Sequence, residues 1–305
     1  MLAALLTTLL FATSAICGYR TAKQVGGVEA NFWRITLATI FLSAWAFSRG
    51  NAFAGAPGWF LLSGFFGIGV GDSGYFQALP RLGSRRTVLL TQCLTAPFAA
   101  IMEWLWLGTH LNVSVILCIV VILAGVAIAL APDDHMKISR RDWKIGIAAS
   151  TLGALGAALG LVVIRKGYAA IAAEGLSVDA GTTGYQRVLG GMLIPTIAVM
   201  ALKWRTAHSH GTIFEERAWQ VSGEKWRRLW PWLLANALAG QTLGVTCMQW
   251  ALKTQPAAVV QAIIATSPIV LLPMTRIVEG EKIGLRALTG AMVAVAGVIG
   301  LTLLR

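Results

Sequence analysis

Asp72 is the one carboxylate in the apolar run from Phe60 to Leu79. An ionisable side chain in such a run is costly unless it has a partner or a task. If the run is helical, Tyr75 and Phe76 stand three and four residues on and share its face. Two readings of Asp72 stand side by side. It pairs with an arginine such as Arg34, or it binds the amine of a solute or carries a proton. Glu103 is the next acid in an apolar setting. It is flanked by Trp104 and Trp106, a composition that suits either a solvated interface or a transport role. Arg34 and Arg187 each lie near the start of an apolar stretch. Each anchors at its own interface, or one of them meets a solute carboxylate or moves when the helix bundle rocks.

Uncharged polar residues recur inside other apolar stretches. Gln92 and Thr95 precede Pro97, Gln261 and Thr266 precede Pro268, and Asn236, Gln241 and Gln249 share one stretch. An amide offers donors and an acceptor together, which suits a zwitterion or a sugar. The alternative is hydrogen bonding between helices, worth about 0.6 kcal/mol for each bond. The substrate-binding set expected from the sequence is therefore Asp72, Tyr75, Gln92, Thr95, Gln241, Gln249, Gln261 and Thr266. The coupling or gating set is Asp72, Glu103, Arg34, Arg187, Pro97 and Pro268, the prolines because each removes a backbone donor and bends a helix. Gly67 with Gly71, Gly156 with Gly160, and Gly240 with Gly244 are small residues four apart, the spacing that lets helices approach closely. Gly67-Ile68-Gly69-Val70-Gly71 is not a dinucleotide loop, because no strand precedes it.

Metal and covalent chemistry find little support. Cys17, Cys93, Cys118 and Cys247 all fall in apolar stretches, share no ligand spacing and read as small buried hydrophobes. Asp133-Asp134-His135, His208 and His210 read as solvated loop residues. No His-Glu-x-x-His, serine–histidine or aspartate-rich metal pattern is present, so an intramembrane enzyme on lipid-linked substrates is the weaker class, as is a non-transporting scaffold or sensor. No cofactor is expected.

The elements that must position these residues are long. The chain has 305 residues, 56% of them hydrophobic and only 12% charged, far less charge than a soluble chain carries. Apolar stretches run near 1–19, 30–48, 57–80, 85–107, 112–131, 145–164, 181–202, 230–252, 257–278 and 283–304. Each is long enough to cross a hydrocarbon core as a helix, and none shows the alternation of barrel strands. The predicted fold is an all-α integral membrane protein of ten transmembrane helices in two inverted five-helix repeats. The first repeat covers 1–132, a linker 133–144, and the second repeat 145–305. The first stretch lacks the basic start and small-residue cleavage site of a signal peptide, so it is read as a membrane helix. Residues 212–229, with Trp219 and Trp226, read either as a short helix in the interface or as a disordered linker.

The net charge of +12 does not signal nucleic acid, because the basic residues sit in connections between the apolar stretches. Sixteen of the 25 lysines and arginines fall in the odd-numbered connections, and five in the even ones or at the C-terminus. The positive-inside rule makes the first set cytoplasmic and puts both termini outside.

The two halves match in order. Gly71 to Pro80 aligns with Gly244 to Lys253, Pro97 with Pro268, Ala124-Gly125-Val126 with Ala296-Gly297-Val298, and Arg34 with Arg187. With Gly280-Glu281-Lys282-Ile283 before the last stretch, this pattern resembles the drug/metabolite transporter superfamily, EamA type. The resemblance covers almost the whole chain and rests on loose motifs. It implies ten helices in two inverted repeats and transport of a small metabolite, often outward, with amino acids or related zwitterions as the first class to test. It also implies cytoplasmic termini, against the charge pattern. The chain departs from the family at Gly108-Thr109-His110, where the turn usually carries Glu, and at Phe11-Ala12-Thr13-Ser14, where a Trp-Gly pair is frequent. The function expected is a secondary transporter, exporter or exchanger, working by alternating access in a bacterial inner membrane. Its partners are a small-molecule substrate and the bilayer, and monomer and homodimer both remain open.

Overall fold

The structure, a computed structural model, describes residues 2–48, 51–107, 113–130, 138–208, 223–254, 263–280 and 284–303. Every extended element among them is helical. In the first half these are α1 (Leu2–Val25), α2 (Gly27–Ser48), α3 (Pro57–Gly64), a π-helical turn π1 (Phe65–Asp72), α4 (Ser73–Leu82), α5 (Ser84–Leu107) and α6 (Val113–Leu130). In the second half they are α7 (Arg140–Ala173), α8 (Ala180–Gly191), α9 (Leu193–His208), α10 (Gly223–Asn236), a second π-helical turn π2 (Ala237–Thr242), α11 (Leu243–Thr254), α12 (Ser267–Val278) and α13 (Leu285–Leu303).

Four stretches are long and apolar enough to cross a membrane, Leu2–Val25, Ser84–Trp106, Arg140–Ala173 and Ala180–Arg205. Large apolar side chains face outward, among them Val113 on α6, Leu105 on α5, and Ile277 and Leu285 on either side of the turn after α12. An apolar exterior of this extent is what lipid covers. The chain folds as an integral membrane protein.

Several helices outrun their apolar windows. α1 continues to Val25 and α7 fills 34 residues from Arg140 to Ala173, beyond the 1–19 and 145–164 stretches. Hydropathy marks the part that meets hydrocarbon, whereas the backbone hydrogen-bond ladder continues into water. Residues 223–229 are the start of α10 rather than a separate interfacial helix, and Trp226 packs edge-on against Trp33 at 5.5 Å. The rest of that segment, 212–222, lies outside the described residues, as do Asp133 to His135.

Sharp turns join the rods. Gly26 and Gly83, both at φ 82°, link α1 to α2 and α4 to α5 in single residues, a left-handed conformation that glycine alone adopts cheaply. Asp179 caps α8, its Oδ1 accepting from the amides of Gly181 at 2.9 Å and Thr182 at 3.0 Å.

Small residues bring the rods together in the interior. A Cβ on Gly156 would lie 2.6 Å from the Gly71 nitrogen, and one on Gly160 would lie 2.7 Å from the Gly67 Cα. The two glycine pairs therefore face each other where π1 crosses α7. On the other side of the molecule a Cβ on Gly240 would meet Ser14 Oγ at 2.5 Å, and one on Gly244 would meet the Phe11 ring at 2.8 Å. These crossings leave no room for a side chain and fix the backbone on both sides of the central space.

Candidate functional site

A cavity of about 260 Å³ opens where these crossings meet. Its wall takes Phe11 and Ser14 from α1, Arg34 from α2, and Asp72 and Tyr75 from the end of π1 and the start of α4. α5 adds Gln92 and Thr95, α7 Gly153 and Ala157, α8 Arg187, and π2 Gln241, while Val245, Met248, Val298 and Leu301 give an apolar side. The volume suits a small metabolite, below the range of drug-sized sites. Mixed walls of this kind hold an apolar body and orient it through a few polar groups.

Asp72 is the polar centre. It forms an ion pair with Arg34, and the same Oδ2 accepts from Gln241 Nε2 at 2.6 Å. Arg34 is held from other sides too. Its Nη2 also donates to Asn31 Oδ1 at 3.1 Å, and its guanidinium carbon lies 4.6 Å from the centre of the Phe76 ring. Further hydrogen bonds steady a buried charge pair, and Gln241 and Asn31 supply two here, while Arg34 Nε has no partner. Arg187 lines the same cavity and is 6% exposed. Its Nε and Nη1 have no hydrogen-bond partner.

The π-helical turns explain why Asp72 and Gln241 can meet. A π turn inserts a residue into the helical ladder and re-aims the side chains around it, a feature found often at functional sites. π1 ends at Asp72 and π2 contains Gln241, so the two irregular turns are joined by one side-chain hydrogen bond. Neighbouring polar groups brace the wall. Ser14 donates to Asn236 Oδ1 at 2.7 Å, and the hydroxyl of Thr95 returns to the Thr91 carbonyl at 2.6 Å.

The model of the EamA-like transporter family matches residues 1–131 and 144–303. The chain belongs to the EamA-like transporter family. No curated protein matches this EamA-like chain. One solved crystal structure, described only as that of a protein, is similar with a TM-score of 0.62 at 16% identity, covering 99% of this chain and 96% of its own. At that identity the likeness is one of fold.

In this EamA-like transporter the residues singled out from sequence separate into groups. Asp72, Tyr75, Gln92, Thr95, Gln241, Arg34 and Arg187 all border the cavity. Gln249 does not. It is fully buried in α11, where its Oε1 accepts from the Tyr168 hydroxyl at 2.5 Å and its Nε2 has no partner. Thr266 immediately precedes α12, and its hydroxyl turns back to the Ile263 carbonyl at 2.6 Å rather than into the cavity. Gln261 lies outside the described residues. Glu103 stands away from the cavity and pairs with Arg165 of α7, a contact between the halves.

The two prolines sit differently in their helices. Pro97 is buried within α5, which runs unbroken from Ser84 to Leu107. Pro268 is not in mid-helix. It occupies the first turn of α12, where a missing amide donor costs nothing, and it borders a small pocket beside Arg85, Arg86 and Leu272. Sequence reasoning passed over Ser14 and Phe11 as cavity residues. Phe11-Ala12-Thr13-Ser14 carried a signal only as the place where the family's Trp-Gly pair is missing.

Proposed function

We propose that this protein is a secondary transporter of small organic metabolites, an exporter or exchanger, working by alternating access. Two inverted five-helix repeats would rock around the central cavity. The observation that carries the reading is the cavity itself. It is of metabolite size, enclosed by rods from both halves, with Asp72, Arg34, Gln241 and Arg187 converging on it.

Several relations between the halves support the repeat. Abutting segments merge into ten rods among the described residues, because α3, π1 and α4 form one, α8 and α9 meet across Met192, and α10, π2 and α11 form another. The third and eighth rods each contain a π turn. The third packs its glycine pair on the sixth, and the eighth packs its own on the first, the exchange that an inverted pseudo-twofold requires. The fifth and tenth rods meet through Gly125 and Gly290, where added Cβ atoms would lie 2.3 Å from the Ala294 nitrogen and 2.4 Å from the Ala129 nitrogen. Arg34 and Arg187 stand on corresponding rods and border one cavity.

Asp72 is the coupling residue in this reading, exchanging its present partners for a proton or for the amine of a zwitterion. Purified protein in lipid vesicles, loaded with one of a panel of amino acids and organic acids, should give saturable counterflow of the labelled solute. Protein that binds a solute, elutes as a single species and still moves nothing beyond protein-free vesicles would overturn the transport reading. Asp72→Asn that keeps the pH dependence of flux would remove Asp72 from the coupling step.

A further inference from the structure

The cavity holds two guanidinium groups and, among the described residues, one carboxylate. Arg34 takes that carboxylate, together with Asn31 and the face of Phe76. Asp72 in turn spends one oxygen on both Arg34 and Gln241. Arg187 is left over. It is 6% exposed, it borders the cavity, and neither its Nε nor its Nη1 finds a hydrogen-bond acceptor. None of the ion pairs among the described residues includes it.

The backbone of π1 comes close to this group. A Cβ on Gly67 of π1 would stand 3.4 Å from Arg187 Nη2, so this part of π1 lies directly beside the guanidinium. Asp72 acts on Arg187 only through space, and a buried arginine with no ion pair is costly, since it cannot shed its proton to escape the cost. Its fork of donors matches the oxygens of a carboxylate or phosphate.

We propose that Arg187 is the anchor for an oxyanion carried by the solute, so that the cavity selects small organic anions or zwitterions over amines and neutral analogues. The apolar side built by Val245, Met248, Val298 and Leu301 takes the body of that solute. Asp72 lies on the same wall, where a zwitterion would present its ammonium. The proposal rests on the transport reading for calling the occupant a transported solute, whereas the oxyanion contact itself is a statement about binding.

Thermal denaturation of the detergent-purified protein separates the two. The probes are matched carboxylates, carboxamides, amines and monophosphate esters built on propyl, isobutyl and benzyl skeletons, with the corresponding α-amino acids. The expected result is stabilisation by at least one anionic or zwitterionic probe, with its matched amine and carboxamide without effect. Arg187→Gln should weaken that binding tenfold or more, and Arg187→Lys should retain part of it. Response to the phosphate esters alone, or to the carboxylates alone, identifies which oxyanion the site takes. Amines or carboxamides that stabilise as well as the anions would overturn the proposal. So would a panel in which no anion stabilises, or an Arg187→Gln variant with unchanged anion affinity. If Arg187→Gln does not fold, the ranking of matched probes on the parent protein decides alone. Anion binding that depends on Arg187 without flux in vesicles would end the transport reading and leave this one standing. Flux confined to amines or neutral solutes would do the reverse.

Discussion

Gln241 donates to the Oδ2 of Asp72 at 2.6 Å, and that same oxygen pairs with Arg34. The contact joins two π-helical turns, one from each half of the chain, so the polar centre of the molecule is also a junction between its halves. Any change in how the halves sit must stretch or rebuild this junction. The side chain of Asp72 remains 21% exposed while that of Arg34 is 5% exposed. The carboxylate is thus the member of the pair that a solute can reach.

Removing the carboxylate should therefore expose the cost of the arginine. In Asp72→Ala, Arg34 keeps its charge and its burial and loses its counter-ion, a loss of about 3–5 kcal/mol for a buried pair broken on one side. Asp72→Asn should lose a comparable amount, since it restores no charge. The double change Asp72→Leu with Arg34→Met should recover most of the loss, because an apolar pair of similar volume needs no partner. Melting curves of the four proteins in one detergent test this. Single variants that melt with the parent would contradict it.

The crossing of π1 and α7 gives a second expectation. A Cβ on Gly156 would lie 2.6 Å from the Gly71 nitrogen, and the atom it meets is backbone, which cannot swing aside. Gly156→Ala should destabilise by about 1–3 kcal/mol through overpacking, despite alanine's better helix propensity. Gly58 is the control, with nothing within 4 Å of an added Cβ, and Gly58→Ala should be neutral or mildly stabilising. Equal melting temperatures for the two variants would refute the close crossing.

How much of this was legible in the sequence depends on the kind of information. Long apolar stretches announce helices that cross a membrane, and polar residues inside them announce an interior that is not wholly apolar. That is why Asp72, Arg34, Arg187, Gln92 and Gln241 could be singled out. Which amide faces the cavity is another matter. Gln241 and Gln249 sit eight residues apart in the same rod, and only the packing decides that Gln241 borders the cavity while Gln249 turns its Oε1 to Tyr168. The π turns were not legible, since Phe65 to Asp72 reads like any apolar helix and the inserted residue follows from tertiary packing. Pro268 looked like a kink because its stretch began upstream of it, whereas α12 begins at Ser267.

Asp179 should make part of the stability depend on pH. Burial pushes its carboxyl up, but hydrogen bonds from Thr182, Trp45 and the amides of Thr182 and Gly181 outweigh this and hold it below the ordinary carboxylate range. With a lowered pKa in the folded protein, the unfolded chain takes up the proton first as acid is added. The contribution is complete above about pH 4, the unfolded value, and is lost as pH falls through Asp179's own lower value. Trp45 Nε1 lies 2.8 Å from Oδ1, so losing the charge also loosens the contact of α2 with α8. Asp179→Asn should flatten the fall in melting temperature from about pH 5 down through Asp179's own lower value. Asp179→Ala should cost about 0.5–2 kcal/mol at neutral pH as the α8 cap is lost. Identical acid slopes for the parent and Asp179→Asn would rule out this role.

On the face that carries the basic connections the halves are closed against each other. Ser84, at the start of α5, donates to Glu279 just after α12, and Arg20 Nη2 donates to the Val278 carbonyl at 3.0 Å. Both contacts cross between halves, and the apolar cluster of Ile16, Val88 and Leu271 lies beneath them. If solute leaves by this face, the rods must part here. Ser84→Cys with Glu279→Cys, in a background where the four native cysteines are replaced, places one thiol on each side of the closure. A short reducible thiol crosslinker should then arrest counterflow in vesicles, and reductant should restore it. Each single-cysteine protein treated in the same way should keep its flux. Full flux through the crosslinked double variant would mean that this closure does not open during transport.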